Sequence, residues 1–299
     1  METKYPDWRD IAITAIAPIT WGTTYVITKE WLPANRPLFS AVVRVLPVGL
    51  VLLALRRTLP RGDWWWRAAV LGMLNFGAFF ALLYLGAYLL PGGLASVLQS
   101  TGPLLVIGLA AWLLSERIRP AAVAGALLGV GGVALLLARA PSSLSWLGVA
   151  AALGSVALSG LGFVLVKKWH PPVDLLTLVS WQLVAGGLFL VPLAWIIEGP
   201  PPSLDLPAIA GYLWLGVLGT GVAYWAWFRG LRRMDAGVAS LIGLVNPVVA
   251  VALGVVVSGE AFGFPQALGS ALVLIGVLIG QPAVTARFAR RKVASPVQT

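Results

Sequence analysis

Polar side chains interrupt a long apolar stretch between Ser96 and Glu116, which reads SVLQSTGPLLVIGLAAWLLSE. Gln99 and Ser100 can donate and accept hydrogen bonds. Pro103 has no amide hydrogen, so the carbonyl of Gln99, four residues earlier, would lack its helical partner. Helical spacing places Ser96, Gln99 and Pro103 on one face. An amide, hydroxyls and a free carbonyl predict hydrogen bonding to a polar solute.

Similar polar residues occur in other apolar runs. Asn75 and Asn246, the latter beside Pro247, carry amides, and Arg44 is the cation well inside an apolar run. Such groups are costly in a membrane and need internal partners or a wet cavity. Interhelical hydrogen bonds that only hold helices together are the alternative role for the amides. For Arg44 the alternatives are a backbone carbonyl, the outer end of its helix, or a substrate carboxylate.

Aromatic residues accompany these polar groups. Rings combined with a few amides suit an amphipathic, partly apolar solute, although packing or interface anchoring is the commoner role of a single ring. A phosphate carrier would need several Lys or Arg at this depth, and only Arg44 is available. The predicted substrate-binding residues are Trp21, Tyr25, Asn75, Phe79, Tyr84, Ser96, Gln99, Ser100, Trp181, Tyr224, Trp225 and Asn246, with Gly102, Pro103 and Pro247 as structural or hinge residues and Arg44 as a candidate partner for a carboxylate.

The sequence offers little for an enzyme or a metal site. It has no cysteine and a single histidine, His170, which precedes Pro171-Pro172 in a connection. A catalytic centre needs a convergent nucleophile, base or set of metal ligands, so we expect no catalytic residue, metal or cofactor. The carboxylates fall at helix ends or in loops, whereas proton coupling usually needs one at depth. This favours facilitated diffusion or exchange.

The composition is that of a membrane protein. Of 299 residues, 59% are hydrophobic and 11% are charged, whereas soluble domains carry about 25% charged residues. The 14 Trp and 34 Gly fit interfacial aromatic belts and membrane helices. The net charge of +10 does not indicate nucleic acid, because the basic residues lie between apolar runs rather than on one face or tail.

Apolar runs bounded by Pro, Gly and charge clusters predict an all-α integral membrane protein with ten transmembrane helices, since a span needs about 20 apolar residues. Lys and Arg are concentrated in alternate connections, as the positive-inside rule describes. Both termini are therefore expected in the cytoplasm. The predicted spans are roughly 10–28, 37–56, 65–85, 92–114, 120–138, 144–167, 175–196, 206–229, 236–257 and 264–283.

The chain also repeats itself. A shift of 144 residues aligns Pro103 with Pro247 and Glu116 with Glu260, and a shift of 138 aligns the preceding helices. Proline and glycine mark backbone geometry, so agreement at such positions indicates one fold used twice. Five spans per half would insert the second half upside down, as in many transporters with a site between the halves. The predicted units are 1–140 and 141–285, two inverted five-helix repeats around a central cavity, and a basic cytoplasmic tail at 286–299.

The fourth helix of each half carries a small residue, a proline and a glutamate, and this pattern resembles paired EamA repeats of the drug/metabolite transporter superfamily. Trp21-Gly22, Lys29 at the end of the first helix and Arg44 in the second fit the same resemblance. The aromatic-rich spans are most similar to the bacterial YddG-type aromatic amino-acid exporters. The resemblance implies an inner-membrane protein with both termini cytoplasmic that exports amino acids or related metabolites.

Two transport functions remain open. The first is a secondary transporter that exports amino acids, with apolar and aromatic side chains preferred, and related metabolites by alternating access. The second is a multidrug or quaternary-amine exporter of the same superfamily, which should present a buried carboxylate to its cation. A channel or a membrane enzyme has less support.

The expected partners are the small-molecule substrate and membrane lipid, with no nucleic acid, and the chain is expected to be a monomer or a weak homodimer. Two small-residue patterns bear on helix packing, Gly125-x-x-x-Gly129 and Gly276-x-x-x-Gly280. Such spacing lets helices approach closely. A dimer contact is the alternative, but we expect these glycines to pack helices within each half.

Overall fold

A computed structural model describes residues 7–89, 98–136, 145–258 and 263–281. Within these ranges every regular element is helical, which confirms the all-α prediction. Two π-helical segments, Met73–Gly77 and Trp214–Val222, continue α4 into α5 and α10 into α11. The α-helices are α1 (Trp8–Gly22), α2 (Thr24–Trp31), α3 (Pro37–Arg56), α4 (Trp64–Gly72), α5 (Ala78–Leu89), α6 (Gly102–Leu114), α7 (Pro120–Leu136), α8 (Trp146–Lys168), α9 (Leu175–Glu198), α10 (Leu206–Leu213), α11 (Ala223–Arg233), α12 (Ala236–Ile242), α13 (Val245–Ser258) and α14 (Phe264–Gly280).

Seven helical stretches of the described chain are long and apolar enough to cross a membrane. Each has at least 18 residues, and at about 1.5 Å per residue this approaches the roughly 30 Å hydrocarbon core of a bilayer. Three shorter apolar helices accompany them, Gly102–Leu114, Pro120–Leu135 and Ala267–Gly280. The seven stretches are Trp8–Thr28, Pro37–Arg56, Trp64–Gly86, Trp146–Lys168, Leu175–Glu198, Leu206–Arg233 and Ala236–Val257.

Two helices are broken at corresponding positions. The chain turns at Ser100-Thr101 before α6, and it turns again at Gly243-Leu244 between α12 and α13. Pro103 lies in the first turn of α6 and Pro247 in the first turn of α13, where a missing amide hydrogen is tolerated because that amide has no helical partner. The two breaks therefore lie where the repeated prolines stand in the sequence.

The two π-helical segments also correspond. The shift of 144 residues aligns Asn75 in the first segment with Gly219 in the second. A π-helical turn disturbs the regular backbone ladder and is frequent at functional sites. In each segment the carbonyl at this position accepts a hydrogen bond from another helix. The Tyr224 hydroxyl donates to Asn75 O at 3.4 Å, and the Trp21 indole donates to Gly219 O at 3.0 Å.

Helices from the two halves of the sequence pack against one another. α3 packs against α9 and α7 against α14, and two further contacts between the halves are α5–α8 and α1–α11. The repeat aligns α5 with α11 and α1 with α8, so these last two contacts are equivalent. In the α7–α14 contact, a Cβ atom on Gly125 or on Gly276 would overlap the carbonyl of the other glycine. The expectation that these glycines pack helices within each half is wrong, because they join one half to the other.

Ion pairs join neighbouring helices at one end of the bundle, here called the basic end. Arg229 of α11 lies 2.7 Å from Asp10 of α1, and Arg56 of α3 lies 3.1 Å from Asp174, which precedes α9. Partial burial acts to raise the pKa of the Asp174 carboxyl, but hydrogen bonds from Thr177 and the nearby Arg56 outweigh it and hold that pKa below its ordinary value. The basic end also carries Arg67, Glu116 and Lys167.

At the opposite end, a carboxylate of α9 caps the start of α3. Glu198 accepts hydrogen bonds from the backbone amides of Leu38 at 2.6 Å and Phe39 at 2.9 Å. The first amides of a helix lack intrahelical partners, and a negative charge there also meets the positive end of the helix dipole. Together with the Arg56–Asp174 pair, this contact joins α3 and α9 at both ends.

Candidate functional site

Arg44 lies in the interior of the bundle, with 4% of its surface exposed. Its guanidinium donates to the Thr220 hydroxyl at 2.9 Å and to the Gly219 carbonyl at 3.0 Å. It also lies 5.2 Å from the centre of the Phe80 ring. Among the residues that the structure describes, no carboxylate pairs with it. A buried charge usually has a charged partner. Because the described residues supply no such partner for Arg44, its guanidinium can still attract an anion.

The second π-helical segment provides the acceptors that hold Arg44. The Thr220 hydroxyl donates to Leu215 O, five residues earlier, at 2.9 Å, so its lone pairs point to Arg44. The Gly219 carbonyl accepts from both Arg44 and the Trp21 indole, each at 3.0 Å. In this irregular turn, one carbonyl therefore holds two residues of the predicted set, the guanidinium of Arg44 and the indole of Trp21.

Aromatic rings from several helices form a cluster beside this site. Tyr224 lies at its centre, because its ring is 4.4 Å from Phe76 and 5.2 Å from Trp21. Trp227 extends the cluster, with its ring 5.4 Å from Trp21 and also 5.4 Å from Phe163. The aromatic cluster consists of Trp21, Phe76, Phe163, Tyr224, Trp227 and Phe228.

Aromatic residues of α5 adjoin Arg44, whose guanidinium contacts the Phe80 ring. The Phe80 ring is 5.0 Å from Phe79 and 6.0 Å from Tyr84. Phe80 is buried, whereas Phe79 and Tyr84 are half-buried. The predicted residues Phe79 and Tyr84 therefore adjoin the ring under Arg44, while Phe80 itself makes the contact with the guanidinium.

Asn75 is fully buried and pairs with another amide. Its side chain donates to Gln182 Oε1 of α9 at 2.7 Å, and the two side chains are both 0% exposed. The side-chain oxygen of Asn75 faces Gly162 of α8, and a Cβ atom on that glycine would overlap the Asn75 carboxamide. These contacts favour interhelical hydrogen bonding for the Asn75 side chain, while its backbone carbonyl accepts a hydrogen bond from the Tyr224 hydroxyl.

Gln99 binds α8 rather than Arg44. The Gln99 amide donates to the Ser155 hydroxyl at 2.6 Å, and it lies 3.5 Å from the Ala152 carbonyl. Ser100 is buried, and Gly102 faces Val156 of the same helix at ordinary contact distance. The polar part of the broken helix is thus engaged with α8.

The other predicted residues are more scattered. The Trp181 indole donates to Thr58 O at 2.7 Å and its ring is 6.2 Å from Trp64, which places it near the basic end and outside the aromatic cluster. Trp225 follows Tyr224 and is half-buried, but successive helical residues point about 100° apart. Asn246 is half-buried, and its backbone carbonyl lies against Gly22 of α1. Ser96 and the side chain of Tyr25 lie outside the described residues.

Several residues that contact Arg44 or one of the predicted residues were absent from the predicted set. They are Phe80, Gly219, Thr220, Trp227 and Gln182. The repeat contained a signal for two of them, since the shift of 144 residues aligns Gly219 with the predicted Asn75 and Phe80 with the predicted Tyr224. The repeat therefore predicts both positions from residues that are already in the set.

The arrangement has the properties of a binding site rather than a catalytic one. Within the described ranges, no group of three or more His, Asp or Glu side chains could hold a metal ion. Arg44 offers a positive charge, and the neighbouring rings offer an apolar and polarisable wall. Such a surface can bind a carboxylate that is attached to an apolar group.

Sequence comparison identifies relatives over nearly the whole chain. The profile of the EamA-like transporter family matches residues 9–138 and again residues 146–279. Protein PecM of Dickeya dadantii is 38% identical over 285 residues, which cover 94% of this chain and 95% of PecM. The uncharacterized inner membrane transporter YedA of Escherichia coli is 28% identical over 272 residues, covering 87% of each chain.

One solved crystal structure has the same fold. It superposes with a TM-score of 0.80 at 22% sequence identity, covering 97% of this chain and 100% of the other. At this identity the similarity concerns the fold alone.

Proposed function

The chain belongs to the EamA-like transporter family, and on that premise we propose that it exports amino acids, with apolar and aromatic side chains preferred, and related metabolites. It is a membrane transporter and not an enzyme. The proposal concerns the substrate class and the direction of transport. Its main support is the buried Arg44 guanidinium, which has neutral hydrogen-bond partners and lies beside the Phe80 ring.

The charge of Arg44 supports a carboxylate-bearing substrate. Coulomb attraction is far stronger in a low-dielectric interior than in water, and guanidinium–carboxylate pairs form two parallel hydrogen bonds. Arg44 can release a neutral acceptor such as the Thr220 hydroxyl in exchange for a carboxylate. The substrate would therefore bring the negative charge that the described surroundings of Arg44 do not contain.

The adjoining rings support an apolar or aromatic side chain on that substrate. Phe79 and Tyr84 are half-buried next to the Phe80 ring under Arg44, and Trp21 shares the Gly219 carbonyl with Arg44. Aromatic pairs contribute about 0.5–1.5 kcal/mol beyond the burial of their area. Among the described residues around Arg44, a sugar would find few hydroxyl groups to bind, and a phosphate would find one cation.

Transport is proposed to use alternating access of two inverted five-helix repeats with ten spans in total. The two family matches, the equivalent helix pairs and the corresponding breaks and π-helical segments all support two copies of one unit. Repeats of this kind rock against each other around a site between them. Arg44 and Thr220 belong to different halves, as such a site requires.

The chain is proposed to lie in the bacterial inner membrane with its basic end in the cytoplasm. The positive-inside rule favours this orientation, and the relative from Escherichia coli is named as an inner membrane transporter. An exporter in this orientation would take its substrate from the side of the basic end.

The decisive test is competition for radiolabelled phenylalanine uptake by purified protein in liposomes. We expect phenylalanine and tryptophan to compete and phenylalaninamide, which lacks the carboxylate, to compete at least about tenfold less well, because it leaves Arg44 unpaired. Arg44→Gln should lower uptake and abolish this difference. Arg56→Gln is the matched control, because Arg56 lies in the same helix but pairs at the basic end.

Two outcomes would contradict the proposal. Equal competition by phenylalanine and its amide in the unmodified protein would remove the role of the carboxylate. Strong competition by tetraphenylphosphonium without any effect of amino acids would indicate a multidrug or quaternary-amine exporter instead.

A further inference from the structure

Three helices that belong to both halves of the chain meet around one carboxylate at the basic end. Glu116, just after α6, lies 2.5 Å from the Lys167 ammonium at the end of α8. Its other oxygen accepts a hydrogen bond from the Ala236 amide, the first residue of α12, at 2.8 Å. Lys167 also donates to the Met234 carbonyl at 2.6 Å. Glu116 and Lys167 therefore bind each other and the start of α12 together.

These groups are sheltered from water. The side chains of Glu116 and Lys167 are only 14% and 22% exposed, so solvent and salt screen their interaction less than that of a surface pair. A second ion pair lies alongside, with Arg119 2.9 Å from Asp235. Glu116, Arg119 and Asp235 line a cavity of about 20 Å³, together with Ala110 and other residues of α6 and α12. This is room for about one water molecule.

The position of the cluster matters because it joins the two broken helices. Glu116 follows α6, which begins at the break near Ser100-Thr101, and Ala236 begins α12, which ends at the break near Gly243-Leu244. If the halves rock as proposed, a path from the interior to the basic end would run between these helix ends and α8, which are the elements that Glu116 and Lys167 join. The path cannot open while Glu116 holds all three together.

We propose that Glu116 and Lys167, with the start of α12, form a latch that closes the basic end of the transporter and must break in each transport cycle. The inference rests on the proposed alternating access, but not on the identity of the substrate. The charge-assisted bonds of the latch are short enough to be strong, and they are few enough to be broken when the halves rock. The Arg119–Asp235 pair supports the closed state from the more exposed side.

The test measures access to a reporter cysteine behind the latch. The chain contains no cysteine, so Ala110→Cys introduces a single thiol at a position that is 1% exposed. A membrane-impermeant maleimide is added to inside-out membrane vesicles, where the basic end is expected to face the bath. Glu116→Gln and Lys167→Met should each increase the labelling rate by about tenfold or more, as expected for the loss of a sheltered charged hydrogen bond.

Three controls make the result specific. Lys167→Arg keeps the charge and should label nearly as slowly as the parent. The double variant Glu116→Gln/Lys167→Met should label no faster than either single variant, because both remove the same interaction. Arg56→Gln breaks an ion pair of the same end that joins α3 to α9, and it should leave the rate unchanged.

The latch proposal would be overturned if Glu116→Gln and Lys167→Met label at the parent rate while the protein remains folded by its thermal unfolding midpoint. It would also be overturned if Arg56→Gln accelerates labelling equally, since this would indicate general loosening. Faster labelling in a protein that does not transport amino acids would leave the latch intact and contradict only the proposed substrate.

Discussion

At the scale of single residues, Arg44 shows how a membrane interior can hold a cation without a carboxylate in its described surroundings. Its guanidinium is held by the Thr220 hydroxyl, the Gly219 carbonyl and the face of the Phe80 ring. None of them neutralises the charge, so a substrate anion can still gain from binding. The amides Asn75 and Gln182 behave differently, because they bind each other in a fully buried pair.

Gly162 should be the most sensitive residue next to that amide pair. Gly162→Ala would place a methyl group on the Asn75 carboxamide, and overpacking of this kind costs about 1–3 kcal/mol. We expect a lower midpoint of thermal unfolding in detergent. Gly154→Ala in the same helix is the control, because its methyl group would meet only the flexible end of Leu82.

The double variant Gly162→Ala/Asn75→Ala checks the cause. If the overlap with Asn75 is responsible, the double variant should be more stable than the sum of the two single effects predicts. Additive losses would contradict the contact.

At the scale of helices, irregular turns and close glycine contacts decide how the bundle is assembled. The two π-helical segments free carbonyls for Trp21, Arg44 and Tyr224. α3 and α9 are joined at both ends by Glu198 and by the Arg56–Asp174 pair, which makes them suitable as one rigid unit. The α7–α14 pair relies instead on backbone contact at glycines.

Gly125 should therefore tolerate no side chain. Gly125→Ile would force α7 away from the Gly276 carbonyl, and we expect a marked loss of folded protein by size-exclusion fluorescence. Gly131→Ile introduces the same side chain on the same helix at a position with nothing within 4 Å of its Cβ. Equal yields of the two variants would show that the α7–α14 contact does not need its glycines.

At the scale of the whole molecule, the charges suggest how transport is driven. The described carboxylates lie towards helix ends, where Asp10 pairs with Arg229, Glu116 with Lys167 and Asp174 with Arg56. Proton-driven carriers usually place a carboxylate or histidine at depth. We therefore propose that solute moves down its own gradient or by exchange.

This arrangement predicts that an imposed proton gradient drives little amino-acid accumulation in liposomes. Internal unlabelled amino acid should instead accelerate uptake of labelled amino acid, because a loaded site with Arg44 paired reorients more readily than one with an unpaired buried charge. Valinomycin-clamped vesicles with and without a pH step provide the comparison. Accumulation that requires the pH step would contradict the prediction.

The sequence by itself determined the class of protein and much of its architecture. Apolar runs of span length can be read residue by residue, because burial in lipid depends on local composition. The position of each helix break followed from Pro103 and Pro247, since proline acts on its own turn of helix. Arg44 could be identified as unusual for the same reason, because a lone cation in an apolar run is a local feature.

The tertiary structure decided which residues meet. No local signal reveals that Arg44 binds a carbonyl and a hydroxyl 175 and 176 positions away in sequence, that Gln99 turns to α8, or that Trp181 lies near the basic end. The same limit explains the error over Gly125 and Gly276, since close-packing glycines indicate that a helix has a near neighbour but not which one. Partner choice depends on how all helices fill the bundle together, and only the assembled fold contains that information.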